Sequence, residues 1–223
     1  MYVKHVYVFD RDRPMKAIVR SYSRSDFEDL IRIQQESFPP PFPADLWWNE
    51  EQLTNHITLF PQGALCAEID GRVVASITGL LVDFNPEHAE HTWEEMTDNG
   101  YIRNHNSSGD TLYIVDISAL PAYRKLGLGK LLMSSMYEVV VERRLKRLLG
   151  GGRMPGYNRH ADAMTAEEYT TAVLSGALHD PVLTFLLRCG RMPVKLVPNY
   201  LDDEESRNYA MLMEWRNPFV EQA

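Results

Sequence analysis

The stretch Ile117-Ser-Ala-Leu-Pro-Ala-Tyr-Arg-Lys-Leu-Gly-Leu-Gly-Lys-Leu-Leu132 constrains this chain more than any other. The β-rich run Thr111–Ala119 (TLYIVDISA) reads as a central strand, and Pro121 ends it. Gly127 then opens a helix in which Leu128, Leu131, Leu132, Ser135 and Val139 share a face to about Arg144. The first-turn N–H groups of such a helix have no intrahelical acceptor and sit at the positive end of its dipole, so the turn suits an anion. Arg124, Lys125 and Lys130 add positive charge there, although the whole chain carries 23 Lys and Arg against 31 Asp and Glu, a formal −8. That acidic balance argues against a nucleic-acid partner and leaves room for a small anion such as a diphosphate.

The rest of the pattern predicts a mixed sheet. Lys16–Tyr22 alternates like a strand, after an N-terminal extension of about 1–15. Ser25-x-x-Glu28 predicts a capped helix to about Ser37, stopped by Pro39, Pro40, Pro41 and Pro43, and a second helix fits Glu50–Phe60. Ala64–Ile69 and Arg72–Val82 form a hairpin through Asp70-Gly71. Asp83–Asp110 is a long polar stretch in which Thr92-x-x-Glu95 caps a short helix. A short strand near Arg147–Leu149 is expected to break at Gly150-Gly151-Gly152, with 152–163 irregular. Thr165-x-x-Glu168 caps a helix to about Leu174, Asp180-Pro181 starts another that ends at Gly190, and Pro193–Val197 and Tyr209–Trp215 are the last strands. The order implies an α/β (α+β) fold, with helices on both faces of a mixed, largely antiparallel sheet, in one domain over 1–223.

Two phosphate-binding patterns do not fit the loop. A dinucleotide fingerprint needs a third glycine where Leu132 stands, and a Walker A loop needs Ser or Thr where Leu131 follows Lys130. Arg124-x-x-Gly127-x-Gly129 after Pro121-x-Tyr123 and a strand instead resembles the acyl-CoA motif of the GNAT superfamily of N-acetyltransferases. The resemblance covers roughly Lys16 to Trp215. It implies that acetyl-CoA is the cosubstrate, held by the loop backbone over Arg124, Lys125, Leu126, Gly127, Leu128, Gly129 and Lys130. It also implies that Ile117, Ser118 and Ala119 position the thioester for an amine acceptor, a small amine or a peptide amine. A narrower resemblance, through Thr92-Trp93-Glu94-Glu95, Gly151-Gly152-Arg153-x-Pro155-Gly156-Tyr157, Asp180-Pro181-Val182-Leu183, Asn199-Tyr200-Leu201 and Glu214-Trp215-x-Asn217-Pro218, is to the acetyltransferase portion fused to some carbon–nitrogen hydrolases.

Acyl transfer needs a neutral amine, donors for the oxyanion and a proton for the leaving thiolate. Many members of the family take that proton from a tyrosine four residues before the glycine ending the C-terminal helix. Counting back from Gly190, this chain has Leu186 there. Tyr157, in a Gly/Pro-rich loop, is the substitute expected, with Tyr200 and Cys189 behind it. Asp116 is a candidate base, but strand alternation from Ile117 aims it away from the cleft. Trp93 suits either a lid or a plug. His88-x-x-His91 lacks metal-site spacing, so no metal is expected. Leu186 also leaves open a catalytically silent acyl-CoA-binding or interaction module. Two lone cysteines and the absence of a long apolar run fit a cytoplasmic protein with no membrane partner, and a homodimer is an open option.

Overall fold

The N-terminal residues begin the sheet rather than extending from it. In the computed structural model, which describes residues 2–86 and 89–220, β1 (Val3–Asp10) pairs antiparallel with β2 (Arg13–Ser21) over its whole length. The sequence VKHVYVFD alternates well enough to do so, with Val8 buried and Tyr7 and Phe9 exposed. The helix after β2 starts earlier than its expected cap: Asp26 accepts from the Ser23 N–H at 2.8 Å and from its hydroxyl at 3.0 Å. A 3-10 turn over Arg24–Asp26 therefore leads into α1 (Phe27–Ser37), where Phe27, Leu30, Ile33 and Gln34 are buried. Asp26 also takes a bidentate pair from Arg20 on β2, which ties α1 to the sheet.

Helix α2 (Glu50–Leu59) is followed by β3 (Ala64–Ile69) and β4 (Arg72–Val82), joined through Asp70 and Gly71 in the left-handed region. Within the long segment that follows, Thr92 and Glu95 form a reciprocal cap on α3 (Trp93–Thr97). Buried His56 of α2 fastens this segment. Its Nε2 donates to the Gly100 carbonyl at 2.7 Å, which leaves Nδ1 to accept from the Tyr22 hydroxyl at 3.0 Å.

Next come β5 (Thr111–Ala119), α4 (Leu128–Glu142), β6 (Arg147–Arg153), α5 (Ala166–Leu174), α6 (Leu183–Arg188), β7 (Met192–Val197) and β8 (Ala210–Arg216). The eight-stranded sheet has the order β1-β2-β3-β4-β5-β6-β8-β7. Its neighbours pair antiparallel except β5 and β6. Helix α1 packs on β4 and β5 from one face, and α4 packs on β3 to β6 from the other. Among the described residues no helix is long and apolar enough to cross a membrane.

Strand β6 does not stop at the glycines; it runs through Gly150, Gly151 and Gly152 to Arg153. The reason is close packing on alternate faces. A Cβ on Gly151 would lie 2.3 Å from Tyr200 Cζ, and one on Gly152 would lie 2.7 Å from Leu186 Cδ1. Glycine here makes room for large side chains rather than for a turn. Gly151→Ala is therefore expected to lower the stability to chemical denaturation by about 1–3 kcal/mol through overpacking.

Candidate functional site

Strands β5 and β6 pair only through Thr111–Tyr113 and Arg147–Leu149. Beyond that point β5 stays with β4 and β6 with β8, so the two separate. The cleft between them is lined by Ile114–Ile117 on one side and Gly150, Gly151 and Arg153 on the other. Gln34, Phe38, Trp93 and Tyr200 close it from the α1 face, and Leu186 and Arg191 from the α6 face. A parallel pair that splays leaves backbone N–H and C=O groups facing a gap, ready to pair with an extended ligand.

Asp116 points into this cleft because of a β-bulge. The β4–β5 register slips between Thr78 and Gly79: Thr78 faces Asp116 while Gly79 faces Ile114, which leaves Val115 as the extra residue. Val115's carbonyl is turned to accept the Trp93 indole N–H at 3.0 Å. After the bulge the alternation is inverted, so Asp116 and Ser118 share the α1 face with Tyr113. Gln34 Nε2 donates to Asp116 Oδ2 at 2.8 Å and the Ser118 hydroxyl donates to the same oxygen at 3.0 Å. Burial pushes the Asp116 carboxyl up to about 6, against those two hydrogen bonds, which favour the carboxylate. The expectation that Asp116 faces away from the cleft is thus corrected.

The loop that follows has the form an anion needs. Lys125 and Gly127 adopt left-handed φ values of 69° and 81°, and Gly127 caps α4. The first-turn N–H groups of Leu128, Gly129 and Lys130 have no intrahelical acceptor. Gly127, Lys125 and Lys130 are exposed, Leu126 is half-buried, and Leu128 is core. Gly129 is needed for packing too: a Cβ there would stand 3.1 Å from the Phe185 ring. Arg124 acts as a clip, with Nε donating to the Ala119 carbonyl at 3.3 Å and a terminal nitrogen to the Ser37 carbonyl at 3.4 Å. The strand end Ile117, Ser118 and Ala119 runs beside the cleft and feeds directly into this loop.

Tyr157 is not brought to the site. It opens a 3-10 turn (Tyr157–Arg159), packs against Tyr169 and Tyr209, and donates to the Met164 carbonyl at 3.2 Å. Because β6 continues to Arg153, the loop carrying Tyr157 begins beyond the cleft, and the hydroxyl expected at the thioester is engaged elsewhere. Leu186 fills its place on α6 with an aliphatic contact to Gly152. Trp93 is a buried plug, while Cys189 lies at the end of α6, with its carbonyl accepting from Tyr137. His88 lies outside the described residues. His91 Nε2 lies 2.8 Å from the Tyr113 hydroxyl, and among the described residues no group of three or more His, Cys, Asp or Glu could hold a metal ion.

Sequence reasoning missed Gln34, Tyr113 and Arg191. Arg191 is 2% exposed, and a terminal nitrogen donates to the carbonyls of Gly150, at 3.0 Å, and Met213. The glycine triplet was the signal available for it, since Gly150 makes the space in which the guanidinium lies.

The acetyltransferase (GNAT) family model matches residues 27–166. A Bacillus subtilis (strain 168) protein, the uncharacterized N-acetyltransferase YkwB, is 53% identical over 221 residues, which are 99% of this chain and 98% of that protein. The probable hydrolase YhcX of the same strain is 37% identical over 203 residues, which are 91% of this chain and 39% of that protein. Among solved structures, the GphF GNAT-like decarboxylase in complex with isobutyryl-CoA superposes with a TM-score of 0.76 at 21% identity, covering 89% of this chain and 98% of that one. The ribosomal-protein-S18-alanine N-acetyltransferase of Escherichia coli gives a TM-score of 0.53 at 14% identity, covering 92% of this chain and 99% of that one. At these identities the structural likeness is one of fold.

Proposed function

The chain belongs to the GNAT family of acetyltransferases, and from that premise we propose that it moves an acetyl group from acetyl-CoA to an amine acceptor by direct attack on the thioester. The observation that carries this reading is the splayed β5–β6 cleft, open to the loop at Gly127 and holding the carboxylate of Asp116. In it, the exposed first turn of α4 takes the coenzyme pyrophosphate through backbone N–H groups, aided by Lys125 and Lys130. The open edge of β5 then pairs with the pantetheine arm and brings the thioester to the bulge at Val115. The amine enters from the α1 face, between Phe38, Phe42 and Trp93, where apolar walls favour its neutral form. Asp116 accepts the proton lost as the amine attacks, and a carboxyl at about 6 is ionised at neutral pH yet basic enough to do so.

A titration followed by calorimetry tests the coenzyme half of the proposal. Acetyl-CoA and coenzyme A are expected to bind with one site per chain, while ATP and NAD fail to saturate it. Equal binding of all four would instead support a general nucleotide site.

A further inference from the structure

We propose that Tyr200 is the proton donor to the departing coenzyme thiolate, with the Tyr113 hydroxyl behind it and Arg191 holding the negative charge as it forms. The inference rests on the acyl-transfer reading above and names the group that Leu186 leaves missing. Two buried hydroxyls and a half-buried imidazole form a line from the cleft outward. The Tyr200 and Tyr113 hydroxyls are 2.7 Å apart, and His91 Nε2 is 2.8 Å from the Tyr113 hydroxyl. Tyr113 and Tyr200 are 0% and 3% exposed, and His91 is half-buried with its Nδ1 shut off from solvent.

The inner end of this line is where the thioester would sit. Tyr200 lines the cleft and lies against Gly151, on the stretch of β6 that pairs with β8 but no longer with β5. Burial pushes both phenols up, Tyr200 to about 12, and the backbone N–H of Gly151 offsets part of this, so each hydroxyl keeps its proton until a stronger base forms beside it.

Arg191 is the independent second observation. This cation is buried and lines the same cleft, its Nε has no partner, and among the described residues no carboxylate pairs with it. A buried, uncompensated charge is strongly disfavoured unless something offsets it. An anion arising in the cleft does so, and Arg191 also favours the ionised forms of Tyr113 and Tyr200. Burial lowers its own guanidinium to about 10, which still leaves it charged at neutral pH.

The protons balance. The amine nitrogen bonds to the acyl carbon and loses a proton to Asp116; the carbon–sulfur bond breaks with its electron pair on sulfur. Tyr200 O–H gives its proton to sulfur, releasing free thiol. The Tyr200 phenolate, held beside the Tyr113 hydroxyl, takes back one proton once the thiol has left, and Asp116 releases one, so the chain returns to its starting state.

The test compares wild type and Tyr200→Phe in two measurements. The first is binding of coenzyme A and of desulfo-coenzyme A, which lacks the sulfur. Tyr200→Phe should weaken coenzyme A about fivefold, the value of one neutral hydrogen bond, and leave desulfo-coenzyme A unchanged. The second is turnover at saturating acetyl-CoA with an accepted amine, where kcat should fall 100-fold or more. Tyr113→Phe and His91→Gln should give smaller falls, because Tyr200 remains. Equal losses for the two coenzymes, or a kcat within threefold of wild type, would overturn the assignment. If wild type binds coenzyme A but acetylates no amine, the transfer reading fails, and the sulfur-dependent difference alone then decides for or against the Tyr200 contact.

Discussion

Asp116→Asn is expected to lower kcat/KM for acetyl transfer by 100-fold or more while leaving the folded protein at least as stable at pH 7.5. General base help from a positioned side chain is typically worth about 10²–10⁴-fold, and Asn keeps the shape but cannot take a proton. The Gln34 and Ser118 donors can still reach the Asn carbonyl oxygen. The stability half follows from linkage. Burial raises the Asp116 carboxyl from 3.8 to about 6, so its contribution to stability is present below about 3.8 and is lost as pH rises through about 6. Asn carries no such penalty at neutral pH. In the wild type, activity should drop as pH falls through about 6, and that limb should be missing from the residual activity of the variant. A variant that is as active as wild type, or one that loses activity and stability together, would make Asp116 a structural residue.

Gly129→Glu is expected to weaken acetyl-CoA binding by at least an order of magnitude. Its carboxylate would stand at the first turn of α4, where the coenzyme pyrophosphate approaches, and would also oppose that anion by charge. The substitution has a packing consequence as well, since its Cβ would meet the Phe185 ring at 3.1 Å. Gly129→Ala separates the two effects: it makes the same contact with Phe185 without the charge and should keep most of the affinity. Circular dichroism checks that both variants fold. Equal affinity of Gly129→Glu and wild type would remove the pyrophosphate from this loop.

What could be read from the residues alone was whatever depends on near neighbours in sequence. The strands at 64–69, 72–82 and 111–119 and the reciprocal caps Thr92–Glu95 and Thr165–Glu168 are all present as expected. Alternation and capping are local, so they survive folding intact. The bulge at Val115 depends on where β4 and β5 register, with Thr78 and Gly79 as the partners, and no pattern inside 111–119 announces it. That single extra residue decides which way Asp116 faces. Gly150–Gly152 misled for a related reason. Glycine triplets usually end strands, but these sit opposite Arg191, Tyr200 and Leu186, all of which lie at least 34 residues further along the chain. The N-terminal strand was overlooked because its exposed Tyr7 and Phe9 give it an edge strand's weak burial pattern.

The most direct test of acyl transfer against silent coenzyme binding is a stoichiometric assay of the wild-type chain. Acetyl-CoA is supplied with a panel of small amines and peptides, free thiol is read by a disulfide reagent, and the acetylated products are read by mass spectrometry. Transfer predicts one amide formed for each thiol released, with little thiol when the amine is omitted. Tight acetyl-CoA binding with no amine-dependent thiol release across the panel would contradict it and leave the chain a coenzyme-binding module.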